Sequence, residues 1–475
     1  MSTDSRTFTL QAEAEPFYID TLTPVSLYLR LRDRHPGTVL LESTDYQPND
    51  NCWSYLCFDP LASFTAGGGE IACEYPDRSS QRRRIQERSD VLQSWKEFFS
   101  SFSVRQSGSP GICNGLFGYC AYDAVEFFES LSLMQQRDRP TAIPSICYVV
   151  FRGIVAINHY RQEAFLLENI PAGEERRFRP AALRELLHKQ SQPRFRFRRV
   201  PGTAESVISD EEHAGMIERC KQHVFRGDVF QIVLSRRYSE RFEGDEFNVY
   251  RALRLINPSP YLFFFDFGGY RLFGSSPEAQ LVVKDGKAAI FPIAGTCGRS
   301  SDPAEEARLI EALLADPKEN AEHVMLVDLA RNDLSKHCDR VFVERFRDVH
   351  RYSHVIHLVS KVVGDLSPDA STLQLIADTF PAGTLSGAPK YRAMQLIDAY
   401  EKGRRGFYGG AIGFLGFDGG CNHAIMIRSF MSRDKTLYSQ AGSGIVADSD
   451  PLREVQEVKN KLAALEAAAV MGEEL

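Results

Sequence analysis

The chain has 475 residues, 43% of them hydrophobic and 25% charged, which excludes a disordered chain, a collagen and a small disulfide scaffold. At roughly 150 residues per domain, this length suggests about three domains, or one large and one small. With 56 basic against 63 acidic residues the net charge is −7 and the pI is near 6.0, so nothing drives the whole chain toward nucleic acid or an anionic membrane. No run approaches the roughly 18 apolar residues of a membrane helix. The start, Met1-Ser2-Thr3-Asp4-Ser5-Arg6, lacks the basic region and apolar core of a signal peptide. A cytoplasmic protein is expected. The 10 cysteines contain no CxxC pair and read as reduced, buried small hydrophobes.

In chain order, Thr23-Pro24 reads as an N-cap with proline at N1, opening a helix through about Arg32. Val39-Leu40-Leu41 reads as a short strand ending in Glu42-Ser43, and residues 90–102 as a helix with Val91, Leu92, Trp95, Phe98 and Phe99 on one side. Strands are expected over 145–157 and 164–167. The stretch Arg194-Phe195-Arg196-Phe197-Arg198-Arg199 interleaves arginine with aromatics. It reads either as an RNA contact or, better suited to a net acidic chain, as an edge strand or linker. The boundary between an N-terminal domain (1–190) and a second domain (205–471) is placed here.

Ser209-Asp210-Glu211-Glu212 is a capping box, and Val229 to Leu234 reads as a buried strand. Three hairpins are expected, around Gly268-Gly269, Asp285-Gly286 and Asp418-Gly419-Gly420, the last with a continuous strand from His423 to Met431. Helices are expected over 303–331 (broken at Pro317), 372–379, 387–402 and 451–471. Hairpins interspersed with helices argue an α+β fold with antiparallel sheets.

Two acid pairs stand out. Glu319 and Glu322 are spaced i,i+3 ahead of a helix that is apolar nearly all round from Val324 to Ala330, so burial is expected there. Glu454 and Glu457 repeat the spacing, with Lys461 four residues on. Each pair alone also reads as an exposed first turn favoured by the helix dipole or as a surface ion pair. Together, two pairs supply the oxygen ligands that suit a hard divalent cation such as Mg2+. Glycine-rich segments at 383–390, 406–410 and 441–444 would let backbone N–H groups approach an anion, or are simply tight turns. Arg428, in an apolar strand, wants an anionic partner.

These segments resemble the chorismate-utilising enzymes, most closely the anthranilate synthase component I group. The resemblance is carried by Ser276-Pro277-Glu278, Pro292-Ile293-Ala294-Gly295-Thr296, the run from Glu322 to Asp333, His357-Leu358-Val359-Ser360, Gly383 to Lys390, Tyr408-Gly409-Gly410, Gln440 to Gly444 and Glu454 to Lys461. The N-terminal part is similar more thinly, through Leu40-Leu41-Glu42-Ser43 and Gly118 to Asp123. The resemblance implies two packed, largely antiparallel β-sheets with helices on the outer faces.

It further implies addition of ammonia to C2 of chorismate with loss of the C4 hydroxyl, then pyruvate elimination. Glu278 corresponds to the general acid, His357 to the histidine of proton abstraction, and Thr384, Thr296 and Gly295 to pocket positions. Glu322 and Glu457 correspond to Mg2+ ligands, with Glu319 and Glu454 holding metal-bound water. Tyr408, Arg428, Lys461 and the N–H groups near Gly442 and Gly444 would hold the enolpyruvyl carboxylate. Relatives making aminodeoxychorismate commonly carry lysine at the position of Ala294, where an amine can attack C2. Alanine therefore favours anthranilate, with aminodeoxychorismate synthase component I the alternative. The sequence shows no Gly-x-Cys-x-Gly nucleophile elbow, so a separate glutamine amidotransferase subunit is expected to supply ammonia. Glu42, Ser43, Pro260, Tyr261 and Leu262 correspond to an inhibitory L-tryptophan site.

Overall fold

Two long strands, Trp53–Gly67 and Ile146–Asn158, pair antiparallel along their length and belong to two sheets at once. Near Trp53 the first strand pairs on its other side with Val39–Ser43, and beyond Ala62 with Glu70–Glu74. The handover falls at Asp59, with φ of +60°, and at a register shift between Pro60 and Ala62. A bulge there re-aims the strand. The computed structural model describes residues 6–18, 21–43, 52–108, 111–135, 139–189, 195–351 and 355–475.

From that shared pair one sheet continues through Val39–Ser43, Tyr261–Asp266, Arg271–Ser276, Ser429–Arg433, Thr436–Ile445 and Gln231–Gly244. The other continues through Gly115–Cys120, Ala411–Gly416, Cys421–Ile425, Ala279–Lys284, Lys287–Ile290 and Val355–Leu366. Both sheets therefore cross the 190–205 segment of sequence. All these pairings are antiparallel, as the hairpin signals require. Asp285 and Gly286 both have positive φ, +50° and +73°, the geometry a two-residue hairpin turn with the strand twist demands.

The period of two along each strand sorts the apolar residues into separate cores. Leu262 and Phe264 pack with Tyr28, Phe247, Tyr250 and Leu462 under the helices of the first sheet. Phe263 and Phe265 face the space between the sheets with Tyr55, Phe117 and Met431. On the second sheet Tyr148 and Val150 pack under Trp95 and Phe98, while Val149 and Phe151 face inward. Strands buried on both faces explain why runs such as Leu262-Phe263-Phe264-Phe265 show no polar alternation.

The helices largely follow the caps. Thr23 Oγ1 accepts from Ser26 N–H (3.1 Å) to open Pro24–Leu31. Ser209 and Glu212 form the reciprocal capping box of Asp210–Phe225. The helix expected over 90–102 is Ser89–Ser100, and Phe102 already starts a strand. Among residues 194–199, Arg194 lies outside the described residues. Phe197–Arg199 is a short strand paired with residues 242–244, its Phe197 ring 5.3 Å from Phe242. Among the described residues no helix is long and apolar enough to cross a membrane.

Candidate active site

Each sheet hands a strand to the other at two neighbouring places. Strand Arg271–Ser276 of the first sheet runs through Pro277-Glu278 into Ala279–Lys284 of the second. Strand Cys421–Ile425 of the second runs through residues 426–428 into Ser429–Arg433 of the first. The continuous strand expected from His423 to Met431 is thus broken, and Arg428 sits in the break with φ of +49°. Hydrophobic patterning is the same on both sides, so the switch left no mark in the periodicity. The two crossings are tied together: Ile425 N–H donates to Glu278 O (2.9 Å), and Ser275 N–H donates to Arg428 O (3.1 Å). Strained backbone at such a position needs surrounding structure to hold it, and these bonds supply it.

Glu278 is buried, and Thr384 Oγ1 donates to its Oε1 at 2.8 Å. Burial pushes its pKa up to about 7, against the opposing pull of the Thr384 bond and of Lys461. Arg428 is half-buried with its pKa lowered by burial, and the Tyr408 hydroxyl lies close enough to act on it. Among the described residues its guanidinium makes no hydrogen bond. Tyr408 is buried, its pKa raised by burial. A Cβ at Gly442 would stand 2.5 Å from the Leu234 carbonyl oxygen and 3.0 Å from the Tyr408 hydroxyl, so the close approach requires glycine. Lys461 Nζ donates to Gly442 O (2.9 Å) and pairs with Glu457 Oε1 (2.7 Å). One ammonium therefore links the acid pair of the last helix to the wall beside Glu278.

Across from these, Gly295 has φ of +80° in a bulge where the pairing with strand Val355–Leu366 slips between Ala294 and Thr296. The bulge brings Thr296 Oγ1 to 2.9 Å and Gly295 O to 3.3 Å from His357 Nδ1. Burial, with Arg428 adding to it, lowers the His357 pKa.

Helix Pro317–Ser335 carries Glu319 and Glu322; helix Pro451–Gly472 carries Glu454 and Glu457. Asp316 and Asp450 cap them, Asp316 accepting from Lys318 N–H (2.8 Å) and Asp450 from Arg453 N–H (2.9 Å). The run from Val324 to Ala330 is buried on one side only: Leu326, Val327 and Ala330 are buried, whereas Val324 is 53% exposed. The outward side is that of Val324, Asp328 and Arg331. The two acid pairs face each other. Burial raises the Glu319 pKa, with Glu322 and Glu457 adding to the rise, and burial likewise raises that of Glu454, with Glu457 adding to it. Glu454 Oε2 is buried without a partner among the described residues. Mutually repelling carboxylates with an orphaned oxygen fit a divalent cation. Among the described residues no group of three or more His, Cys, Asp or Glu side chains is close enough to form a cage. A cation held here would have to complete its shell with waters and substrate oxygens.

Three members of the site have no role assigned in the sequence reading, although Asp333 and Lys390 end two of its motifs. Gln231 Nε2 donates to Glu322 Oε1 (2.9 Å), and Gln231 lies beside Gly444. An amide in the otherwise apolar run Val229 to Leu234 was the available signal. Asp333 and Lys390 pair at 2.7 Å, but 57 residues apart no local pattern joins them.

Ser43 and Tyr261 are direct partners in adjacent strands, as are Glu42 and Leu262. Glu42 is buried and its carboxylate accepts from Tyr250 Oη (2.6 Å) and Arg254 Nε (3.0 Å) on the helix side. Alternation puts Ser43 and Tyr261 on the opposite face, with Pro260 half-buried beside them.

The family model for chorismate binding enzymes matches residues 38–467. The chain belongs to the chorismate binding enzyme family. It is 36% identical over 477 residues to anthranilate synthase component 1 of Aquifex aeolicus, covering 96% of this chain and 94% of that one. The crystal structure of anthranilate synthase component I from Streptococcus pneumoniae superposes with a TM-score of 0.75 at 30% identity, covering 94% of this chain and 98% of that one. The menaquinone-specific isochorismate synthase of Escherichia coli shares the fold, with a TM-score of 0.73 at 19% identity over 98% of this chain and 95% of that one. The family places the chain among chorismate-utilising enzymes. The crossing of two sheets, with Glu278 and Arg428 in the crossings, is how this sequence builds its candidate site.

Proposed function

We propose that this chain is the ammonia-using subunit of anthranilate synthase, converting chorismate and ammonia to anthranilate and pyruvate at the entry to tryptophan biosynthesis. The observation that carries this reading is Glu278: a buried carboxyl with its pKa raised to about 7, set beside Arg428, Tyr408 and two facing acid pairs. Hydroxide leaves C4 poorly and needs a proton, which a carboxyl held neutral by burial can give. The half-buried guanidinium of Arg428 and the ammonium of Lys461 suit the enolpyruvyl carboxylate.

Glu322 and Glu457, with Glu319 and Glu454, would hold Mg2+, which when bound supplies positive charge for the ring carboxylate of the substrate. After ammonia adds at C2, His357 takes the C2 proton and pyruvate leaves. With the imidazole proton on Nδ1 facing Gly295 O, the lone pair is on Nε2. Ala294 in place of an amine favours external ammonia and so anthranilate over aminodeoxychorismate. The relatives are named component 1, which agrees with a separate amidotransferase subunit delivering ammonia from glutamine. Ser43 and Tyr261, on one sheet face, support an L-tryptophan site there.

Purified chain with chorismate, Mg2+ and ammonium at pH about 8.5 should form fluorescent anthranilate and pyruvate. Glutamine should replace ammonium only after an amidotransferase subunit is added. Aminodeoxychorismate or isochorismate as the sole product would overturn the assignment, and glutamine-dependent turnover by the chain alone would overturn the subunit division.

A further inference from the structure

A small cavity of about 30 Å3 lies beneath Glu278, lined by Glu278, Gln280, Leu329, Asp333, Thr379 and Thr384. That is room for about one or two waters. Its polar groups form a sequence with one gap. Thr384 Oγ1 donates to Glu278 Oε1 (2.8 Å), Gln280 Nε2 to Thr379 Oγ1 (3.1 Å), and Lys390 Nζ to Thr379 O (3.1 Å) and Asp333 Oδ2 (2.7 Å). The gap is at Gln280, 3% exposed, whose Oε1 has no partner among the described residues. A buried amide oxygen on a polar cavity is where an ordered water binds. At the far end the side chains of Lys390 and Asp333 keep 12% and 11% exposure, so this end reaches solvent. Glu322, Leu326, Leu329 and Asp333 share one helix face. Asp333 therefore stands three turns below the acid pair, on the side of Glu278 away from the mouth.

We propose that this cavity is a proton passage through which the Asp333–Lys390 pair reloads the Glu278 carboxyl after each turnover. The inference rests on Glu278 being the general acid. In each turnover the carboxyl gives its proton to the departing C4 hydroxyl; the C4–O bond breaks, water leaves and Glu278 remains a carboxylate. Ammonia bonding to C2 yields an ammonium that sheds one proton to bulk water, so one proton must return to Glu278. With substrate or product covering the mouth, the passage supplies it from the opposite side. The Asp333–Lys390 pair gives a proton to cavity water, the water passes one to Glu278, and the pair recovers its own from solvent.

Rapid-quench measurement of chorismate consumption with ammonium tests this in Asp333→Asn and Gln280→Met. Gln280→Met keeps the Asp333–Lys390 pair and leaves the Thr379 hydroxyl bonded to Leu375 O (2.9 Å), so it folds even if Asp333→Asn does not. Below the pH of about 7 at which Glu278 loses its proton, the expected result is a burst of one equivalent at the wild-type rate, followed by steady turnover at least tenfold slower with an enlarged solvent deuterium isotope effect. Steady turnover at the wild-type rate, or first and later turnovers slowed equally, would overturn the passage. Glu278→Gln separates the two ideas. If it still consumes chorismate, the acid assignment falls and the passage with it; if it blocks the first turnover while Gln280→Met shows no burst, the passage alone falls.

Discussion

Thr384 Oγ1 hydrogen-bonds Glu278 Oε1 at 2.8 Å and opposes the effect of burial on that carboxyl. A hydrogen bond to a charged group contributes about 1.5–3 kcal/mol, or roughly one to two pH units. In the wild type, the rate divided by the free ammonia concentration should fall as pH rises through about 7, where Glu278 loses its proton. Thr384→Val should move that falling limb upward by about one unit. A limb that stays in place in the variant would remove Thr384 from control of the acid.

The same shift makes a stability statement. The folded pKa of Glu278 is raised to about 7 from an ordinary 4.5. Its neutral form therefore favours the folded state below the ordinary value, and that contribution is lost as pH rises through 7. The difference is on the order of 3 kcal/mol. Glu278→Gln should melt with wild type near pH 4.5 and become the more stable of the two by pH 8.5, as thermal melts at both pH values would show. Parallel melting curves at both would place Glu278 in water rather than in the core.

How far such features were legible depended on whether a local rule governed them. The Asp285-Gly286 turn, the capping box at Ser209 and the proline-led helices at Pro317 and Pro451 were readable because three or four adjacent residues decide each of them. Arg428 was misplaced into a strand because sheet-switching leaves hydrophobic alternation unchanged; the decisive facts are its positive φ and the bond from Ser275. The grouping of Glu319 and Glu322 with Glu454 and Glu457 was suggested by their shared spacing and then by family motifs, whereas Gln231 and the Asp333–Lys390 pair join the site only through tertiary contacts. Val324 was expected inside because the run around it is apolar, yet a helix packed on one side leaves its outer face in water.

Glu322→Gln and Glu457→Gln should each reduce turnover by at least a hundredfold with an unchanged fold, because under the proposed function each removes one anionic ligand of a divalent cation. Near-ultraviolet circular dichroism reports the fold, and titration with Mg2+ reports the ligand. Turnover that survives both substitutions and EDTA would remove the cation from the reaction.

Ser43 and Tyr261 are paired across adjacent strands, and Tyr261 is also paired with Ser276, two residues before Glu278. Ser43→Phe should weaken inhibition by tryptophan at least tenfold and spare uninhibited turnover. Glu42→Gln, which disturbs only the helix-side contacts with Tyr250 and Arg254, should weaken inhibition less. Unchanged tryptophan potency in Ser43→Phe would place the inhibitor elsewhere.

Glu278 and His357 stand on different elements, with different partners, and under the proposed function their environments suit different steps of the reaction. Glu278 is an acid whose pKa burial raises to about 7, and Glu278→Gln should block chorismate consumption itself. His357 is kept neutral by its lowered pKa, and its Nδ1 is engaged by Thr296 Oγ1 and Gly295 O. That arrangement suits removal of the C2 proton after amination, not departure of the hydroxyl. His357→Met should therefore still consume chorismate and ammonia while releasing little anthranilate, and 2-amino-2-deoxyisochorismate should accumulate. Chromatography of the spent mixtures reads both variants at once. If His357→Met stops consumption entirely, or Glu278→Gln leaves it untouched, the two residues do not divide the chemistry in this way.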